Sequence, residues 1–165
     1  MHNMKSVFGD VVDGKMLLNN FGRIVVKCWD AIPEHFRNVQ LDEFFIMPNH
    51  IHGILVIYED GRGTACRAPT VERFSKSVAN SLPTIIRSFK SAISNRINKM
   101  RRTSGATIWQ RNYYEHVIRN ENKLNKIRQY IQTNPLKWHL DRENPERVGI
   151  NRLEDEIFNL KKTIK

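Results

Sequence analysis

A chain of 165 residues with 40% hydrophobic side chains is long enough for one domain with a packed core. Its 27 Lys and Arg against 17 Asp and Glu leave a net charge of +10, which points to a polyanionic partner, nucleic acid ahead of a membrane surface. Two cysteines exclude a disulfide scaffold, MHNMKSVFGD has no apolar leader segment, and the longest apolar run, Ile54 to Tyr58, is too short to span a bilayer. The expectation is a soluble protein of a reducing, cytoplasmic compartment, with Cys28 a small core residue and Cys66 a free thiol in a polar loop.

VFGDVVDGKMLLN reads as two short strands around Asp13-Gly14, a dipeptide suited to a two-residue type I′ turn. Asn19 or Asn20 then caps a helix with Phe21, Ile24, Val25, Cys28 and Trp29 at helical spacing, ended by Pro33. VQLDEFFIM and IHGILVIY form an antiparallel pair joined at Pro48-Asn49, with Ile51, Leu55 and Ile57 anchoring the second strand. Residues 59–80 form a long exposed loop. A helix runs from Pro83 to about Arg102 on a stripe of Ile86, Phe89, Ile93, Ile97 and Met100. TIWQRNYYEHVI reads as a strand or extended hairpin. Asn120 caps a helix that stops before Pro135, and a last helix covers about 151–163 with Leu153, Ile157 and Leu160 on one face. The order implies one α+β domain spanning 1–165, with a core of about 7–140 around a mainly antiparallel sheet.

Nine cations, Arg73, Lys76, Arg87, Lys90, Arg96, Lys99, Arg101, Arg102 and Arg111, occur with no Asp or Glu between them. A solvated helix face would have this look, but no acidic partner stands at i,i+4, and a phosphate-backbone surface is the reading adopted. Of six histidines only His50 and His52 are two apart on a strand, so both imidazoles face one way, as a shared metal requires. Two hydrogen-bonded histidines would give the same pattern, and two imidazoles leave a divalent ion short of ligands. Tyr130 and Asn134 are i,i+4 neighbours at the edge of the stripe Leu124, Ile127, Ile131; Asn134 offers an oxygen to a metal and Tyr130 a phenol one turn away, or else they are a rim residue and a helix end.

FFIMPNHIHGILVI followed by WQRNYYEHVIRNENKLNKIRQYIQTNPLKW resembles the REP-associated tyrosine transposases, relatives of the single-tyrosine HUH transposases, from the DGKMLLNNFG entry through NPLKW. The resemblance implies a ferredoxin-like fold and an enzyme that cuts and rejoins single-stranded or hairpin DNA, such as REP-like palindromes. It implies His50, His52 and Asn134 as ligands of Mg²⁺ or Mn²⁺ and Tyr130 as the nucleophile, with Tyr113 and Tyr114 as the alternative tyrosines. It further implies a nucleoid-associated monomer or homodimer. Family members begin with an additional strand beside the histidine strand; none is read here, which would leave a ladder edge exposed. The alternative is a decayed, non-catalytic DNA-binding relative. A histidine-triad phosphohydrolase would need a third His where Ile54 stands.

Overall fold

Asp13 and Gly14 have φ of 50° and 71°, the left-handed pair that a type I′ turn needs. They join β1 (Gly9–Val12) to β2 (Lys15–Leu18), antiparallel, with Gly9 opposite Leu18 and Val12 opposite Lys15. The computed structural model in which this is seen describes residues 6–58, 78–110 and 113–158. Of the two candidate caps, Asn19 opens α1 (Asn20–Asp30). Its Oδ1 accepts from the N–H groups of Phe21 at 2.8 Å and Gly22 at 3.0 Å, and its Nδ2 donates to the Val7 carbonyl at 2.8 Å. Gly22 lets that first turn approach the chain entering β1, because a Cβ there would lie 2.4 Å from the Phe8 carbonyl oxygen. Pro33, expected to end α1, instead stands in the first turn of α2 (Ile32–His35), where an N–H would have no helical acceptor.

β3 (Val39–Ile46) and β4 (Ile51–Ile57) form the second two-stranded sheet. Met47 N–H donates to the His50 carbonyl at 2.9 Å across the Pro48-Asn49 turn, and Tyr58 N–H donates to the Asn38 carbonyl at 2.8 Å. The α+β class with antiparallel pairing is therefore as expected. The side chain β4 buries is Ile54; of the expected anchors, Ile51 and Leu55 are half-buried and Ile57 is exposed, so that set is corrected.

The chain divides into two compact units. One comprises Met1–Arg23, Glu43–Gly53 and Tyr113–Lys165, the other Ile24–Asp42 and Ile54–Asn112. In the second, α3 (Leu82–Arg101) buries Ile85, Phe89, Ile93 and Ile97. That row advances in steps of four and its next member is Arg101, so Ile86 is only half-buried and Met100 is exposed, against expectation. Phe89 meets the Trp29 ring edge to face at 5.8 Å.

In the first unit, α4 (Glu121–Thr133) begins at Asn120, whose Oδ1 accepts from Lys123 N–H at 2.9 Å, and stops before Pro135 as expected. A 3₁₀ helix (Pro135–Leu140) and α5 (Arg152–Phe158) follow. Residues beyond 158, including Leu160, lie outside the described residues, as does the expected loop from 59 to 77. The strand expected within TIWQRNYYEHVI is not formed among the described residues of that segment. Residues 113–117, Tyr113, Tyr114 and Val117 among them, are all exposed, so neither parity of side chains there gains burial to offset the ordering of a strand. No described helix is long and apolar enough to cross a membrane.

Because two backbone N–H groups depend on one side chain, Asn19→Ala is expected to lower stability by about 1 kcal/mol, while Asn20→Ala stays within about 0.5 kcal/mol. Urea unfolding midpoints of the two variants check this.

Candidate functional site

The Pro48-Asn49 turn delivers His50 and His52 to one side of the chain entering β4. Their Nε2 atoms are 2.9 Å apart, with ring centroids at 4.6 Å in an edge-on arrangement. Asn49 decides which nitrogen of His50 carries the proton. Its Nδ2 donates to the Glu143 carbonyl at 2.7 Å, which turns Oδ1 toward His50 Nδ1 at 2.8 Å. Nδ1 is thus the donor, and the Nε2 lone pair of His50 faces the site.

Opposite the imidazoles stands a carboxylate that no sequence motif singles out. Asp141 follows the 3₁₀ helix and is 1% exposed. Its Oδ1 accepts from Glu143 N–H at 2.7 Å. Its Oδ2 lies 3.6 Å from His50 Nε2 and has no hydrogen-bond partner. One ligand atom from each of His50, His52 and Asp141 falls within 4.8 Å of the others. Two nitrogens bound at about 2.1 Å and at right angles would lie about 3 Å apart, which matches the imidazole pair. A buried carboxylate oxygen without a donor needs a positive partner. The donor set fits a divalent cation.

Tyr130 and Asn134 are expected at the edge of the α4 stripe; both are inside. Tyr130 is 2% exposed and its ring meets that of His52 at 5.2 Å, edge to face. Asn134 closes α4 one turn later, fully buried, and neither Oδ1 nor Nδ2 has a hydrogen-bond partner. The difference follows from packing by segments distant in sequence: the His52 ring of β4 lies against Tyr130, and α4 packs on both α5 and the 3₁₀ helix. Tyr113 and Tyr114, the alternative phenols, are exposed.

Electrostatics separate these groups. Burial, then the nearby Arg142, holds His50 down at about 4. Burial, His50 and Arg142 lower His52 as well, against the opposing pull of Asp141. At neutral pH the approach of His50 to Asp141 is therefore a carboxylate facing a neutral ring. Burial, then Glu154 and Asp141, pushes the Tyr130 phenol upward, with Arg142 opposing. Glu154, 2% exposed on α5, is itself raised to about 7 by burial and by Asp141.

The cations expected to bind DNA are carried by the other unit. Arg87, Arg96, Lys99, Arg101 and Arg102 are exposed on α3 or at its end. Lys90 is half-buried, 5.8 Å over the Trp109 ring, and burial lowers its pKa. Arg96 Nη1 donates to Cys28 Sγ at 3.2 Å, and Cys28 is buried as expected. Lys99 and Arg102 line an open groove of about 650 Å³ with Asn95, Asn98, Thr103 and Trp109. Arg73, Lys76, Arg111 and Cys66 lie outside the described residues.

No protein-family model matches the chain, and no solved structure matches it. An uncharacterized protein of Haemophilus influenzae is 39% identical over 143 residues, 84% of this chain and 78% of that protein. The two belong to one family. A second Haemophilus influenzae protein, named "Putative REP-associated tyrosine transposase", is 33% identical over 92 residues, 56% of this chain and 47% of its own length.

The metal-free chain should show opposed pH terms. Histidines lowered in the fold leave it binding fewer protons than the unfolded chain below about 6.5, so their contribution falls as pH drops toward about 4. Glu154, raised from 4.5 to about 7, contributes stability at acid pH that is lost as pH rises through that interval. Urea midpoints in EDTA should accordingly rise more steeply between pH 4.5 and 6.5 in Glu154→Gln than in the wild type. An unchanged slope would remove Glu154 from the balance.

Proposed function

We propose that this chain cuts and rejoins single-stranded or hairpin DNA through a 5′-phosphotyrosine on Tyr130, using a divalent cation. The observation that carries the reading is the convergence of a histidine pair, a partnerless buried carboxylate oxygen and a tyrosine ring in one unit. The partial similarity to a protein named as a transposase supports it.

His50, His52 and Asp141 would hold the cation, with the Asn134 carboxamide oxygen as a further donor. Two nitrogen donors suit Mn²⁺ better than Mg²⁺, though both belong to the proposal. When bound, the cation supplies Lewis-acid polarisation of a phosphate oxygen and offsets the charge of Asp141.

The protein's own residues do the rest. Asn49 keeps the His50 Nε2 lone pair aimed inward. The buried ring of Tyr130, fixed against His52, restricts where its Oη can go. In attack, Oη bonds to phosphorus and the phenol loses its proton; the P–O3′ bond breaks and the 3′ oxygen leaves as a hydroxyl. One phosphodiester is exchanged for another, so rejoining by the reverse path needs no nucleotide. The Tyr130 proton is the hard one to remove, because burial and two carboxylates keep the phenol protonated.

Exposed Arg96, Lys99, Arg101 and Arg102 would carry phosphate affinity, as would Arg87 and, more weakly, the half-buried Lys90. Arg73, Lys76 and Arg111 belong to the same proposed surface through the sequence alone. A decayed relative would keep this surface and lose the cleavage.

Incubating the chain with a hairpin oligonucleotide and Mn²⁺ should give a covalent protein–DNA band in a denaturing gel. Tyr130→Phe should abolish the band, while Tyr113→Phe and Tyr114→Phe keep it. A band that survives Tyr130→Phe contradicts the assignment. Neutralising Arg96, Lys99, Arg101 and Arg102 together should weaken DNA binding and flatten its salt dependence, by about 0.7 in log-log slope for each phosphate no longer neutralised. Unchanged affinity and slope would leave α3 as a solvated face.

A further inference from the structure

Arg142 follows Asp141 in sequence, yet neither the transposase resemblance nor the histidine spacing assigns it a role. Its Nε lies 3.5 Å from Glu143 Oε1 and 3.7 Å from Glu154 Oε1. The two carboxylates differ: Glu143 keeps 36% of its side-chain surface and Glu154 only 3%. Both contacts are at ion-pair distances without a hydrogen bond, and Glu154 Oε1 is buried with no hydrogen-bond partner, so the carboxylates draw the Nε edge of the guanidinium by charge and leave its N–H donors available. Arg142 retains 42% of its side-chain surface.

A phosphodiester entering this unit would meet Asp141, Glu143 and Glu154. Carboxylates repel an anion, and Arg142 is a cation beside them. Arg142 is bonded in the chain to Asp141, whose Oδ2 lies 3.6 Å from His50 Nε2, and His52 in turn packs on the Tyr130 ring, so Arg142 borders the same cluster.

We infer that Arg142 is the residue that grips the non-bridging oxygens of the phosphate attacked by Tyr130, with Glu154 as the positioning residue that attracts its guanidinium from the buried side. The inference rests on the proposed reading of the site. In attack, negative charge gathers on those oxygens, and a fork of N–H donors already in place stabilises it without reorganisation. The same charge eases proton loss from Tyr130.

The test uses the full chain, a hairpin oligonucleotide and Mn²⁺. Arg142→Gln should bind Mn²⁺ within about threefold of the wild type, because it removes no metal donor, while the covalent band forms about 100-fold more slowly. Arg142→Lys, which keeps a cation beside Glu154, should recover part of the rate. In a Tyr130→Phe background, Arg142→Gln should lower hairpin affinity about tenfold and the salt slope by about 0.7. Band formation and affinity at wild-type levels in Arg142→Gln would overturn the inference. So would loss of Mn²⁺ binding in Arg142→Gln, which would make Arg142 a support of the cation site and not a phosphate ligand. If the wild type forms no covalent band, the Tyr130 reading fails, and the affinity comparison in the Tyr130→Phe background still decides the role of Arg142.

Discussion

The carboxylate of Asp141 is the constraint on which the site depends. One of its oxygens is committed to the Glu143 N–H; the other is buried, faces a neutral imidazole at 3.6 Å and accepts no hydrogen bond. Leaving such a charge uncompensated costs on the order of several kcal/mol. Around it the fold has gathered two imidazoles held in the form that binds metals and not protons, and an amide that fixes the tautomer of one of them. A divalent cation would satisfy the carboxylate and use both lone pairs. Within the protein the facing Nε2 atoms, 2.9 Å apart, can share one hydrogen bond, which leaves Asp141 Oδ2 without a partner.

The same burial that readies the histidines works against the tyrosine. Taking a phenol out of water and placing it near Glu154 and Asp141 stabilises the protonated form, the opposite of what a nucleophile needs. Positive charge must therefore be supplied locally, by Arg142, which opposes the shift, and in the proposed reading by a cation on the histidine pair and Asp141. Glu154 adds a further coupling, because its own pKa near 7 lets the charge beside Arg142 vary around neutrality. The ring packing of Tyr130 on His52 ties the phenol to the cation site mechanically as well as electrostatically.

Much of this architecture was legible in the sequence where the determinants are local. Asp13-Gly14 specified the hairpin turn, the alternation around Pro48-Asn49 specified the β3–β4 pair, and Asn120 with Pro135 bounded α4. The pairing of His50 with His52 followed from the two-residue period of extended chain. What was not legible depends on packing between distant segments. Asp141 is one of 17 acidic residues and no spacing links it to the histidines. The depth of Tyr130 depends on packing against His52, distant in sequence, so a helical wheel of α4 alone placed it and Asn134 at the rim. TIWQRNYYEHVI has strand composition, but strand formation needs a partner edge and a buried face, and the described residues of that segment find neither.

Equilibrium binding of Mn²⁺ to the metal-free chain, followed by electron paramagnetic resonance of the free ion, tests the central claim most directly. One ion per chain should bind at neutral pH, and Asp141→Asn should weaken it by at least about tenfold, as should His50→Ala. Binding that is absent in the wild type, or equally tight in Asp141→Asn, would contradict the assignment of this cluster as a cation site.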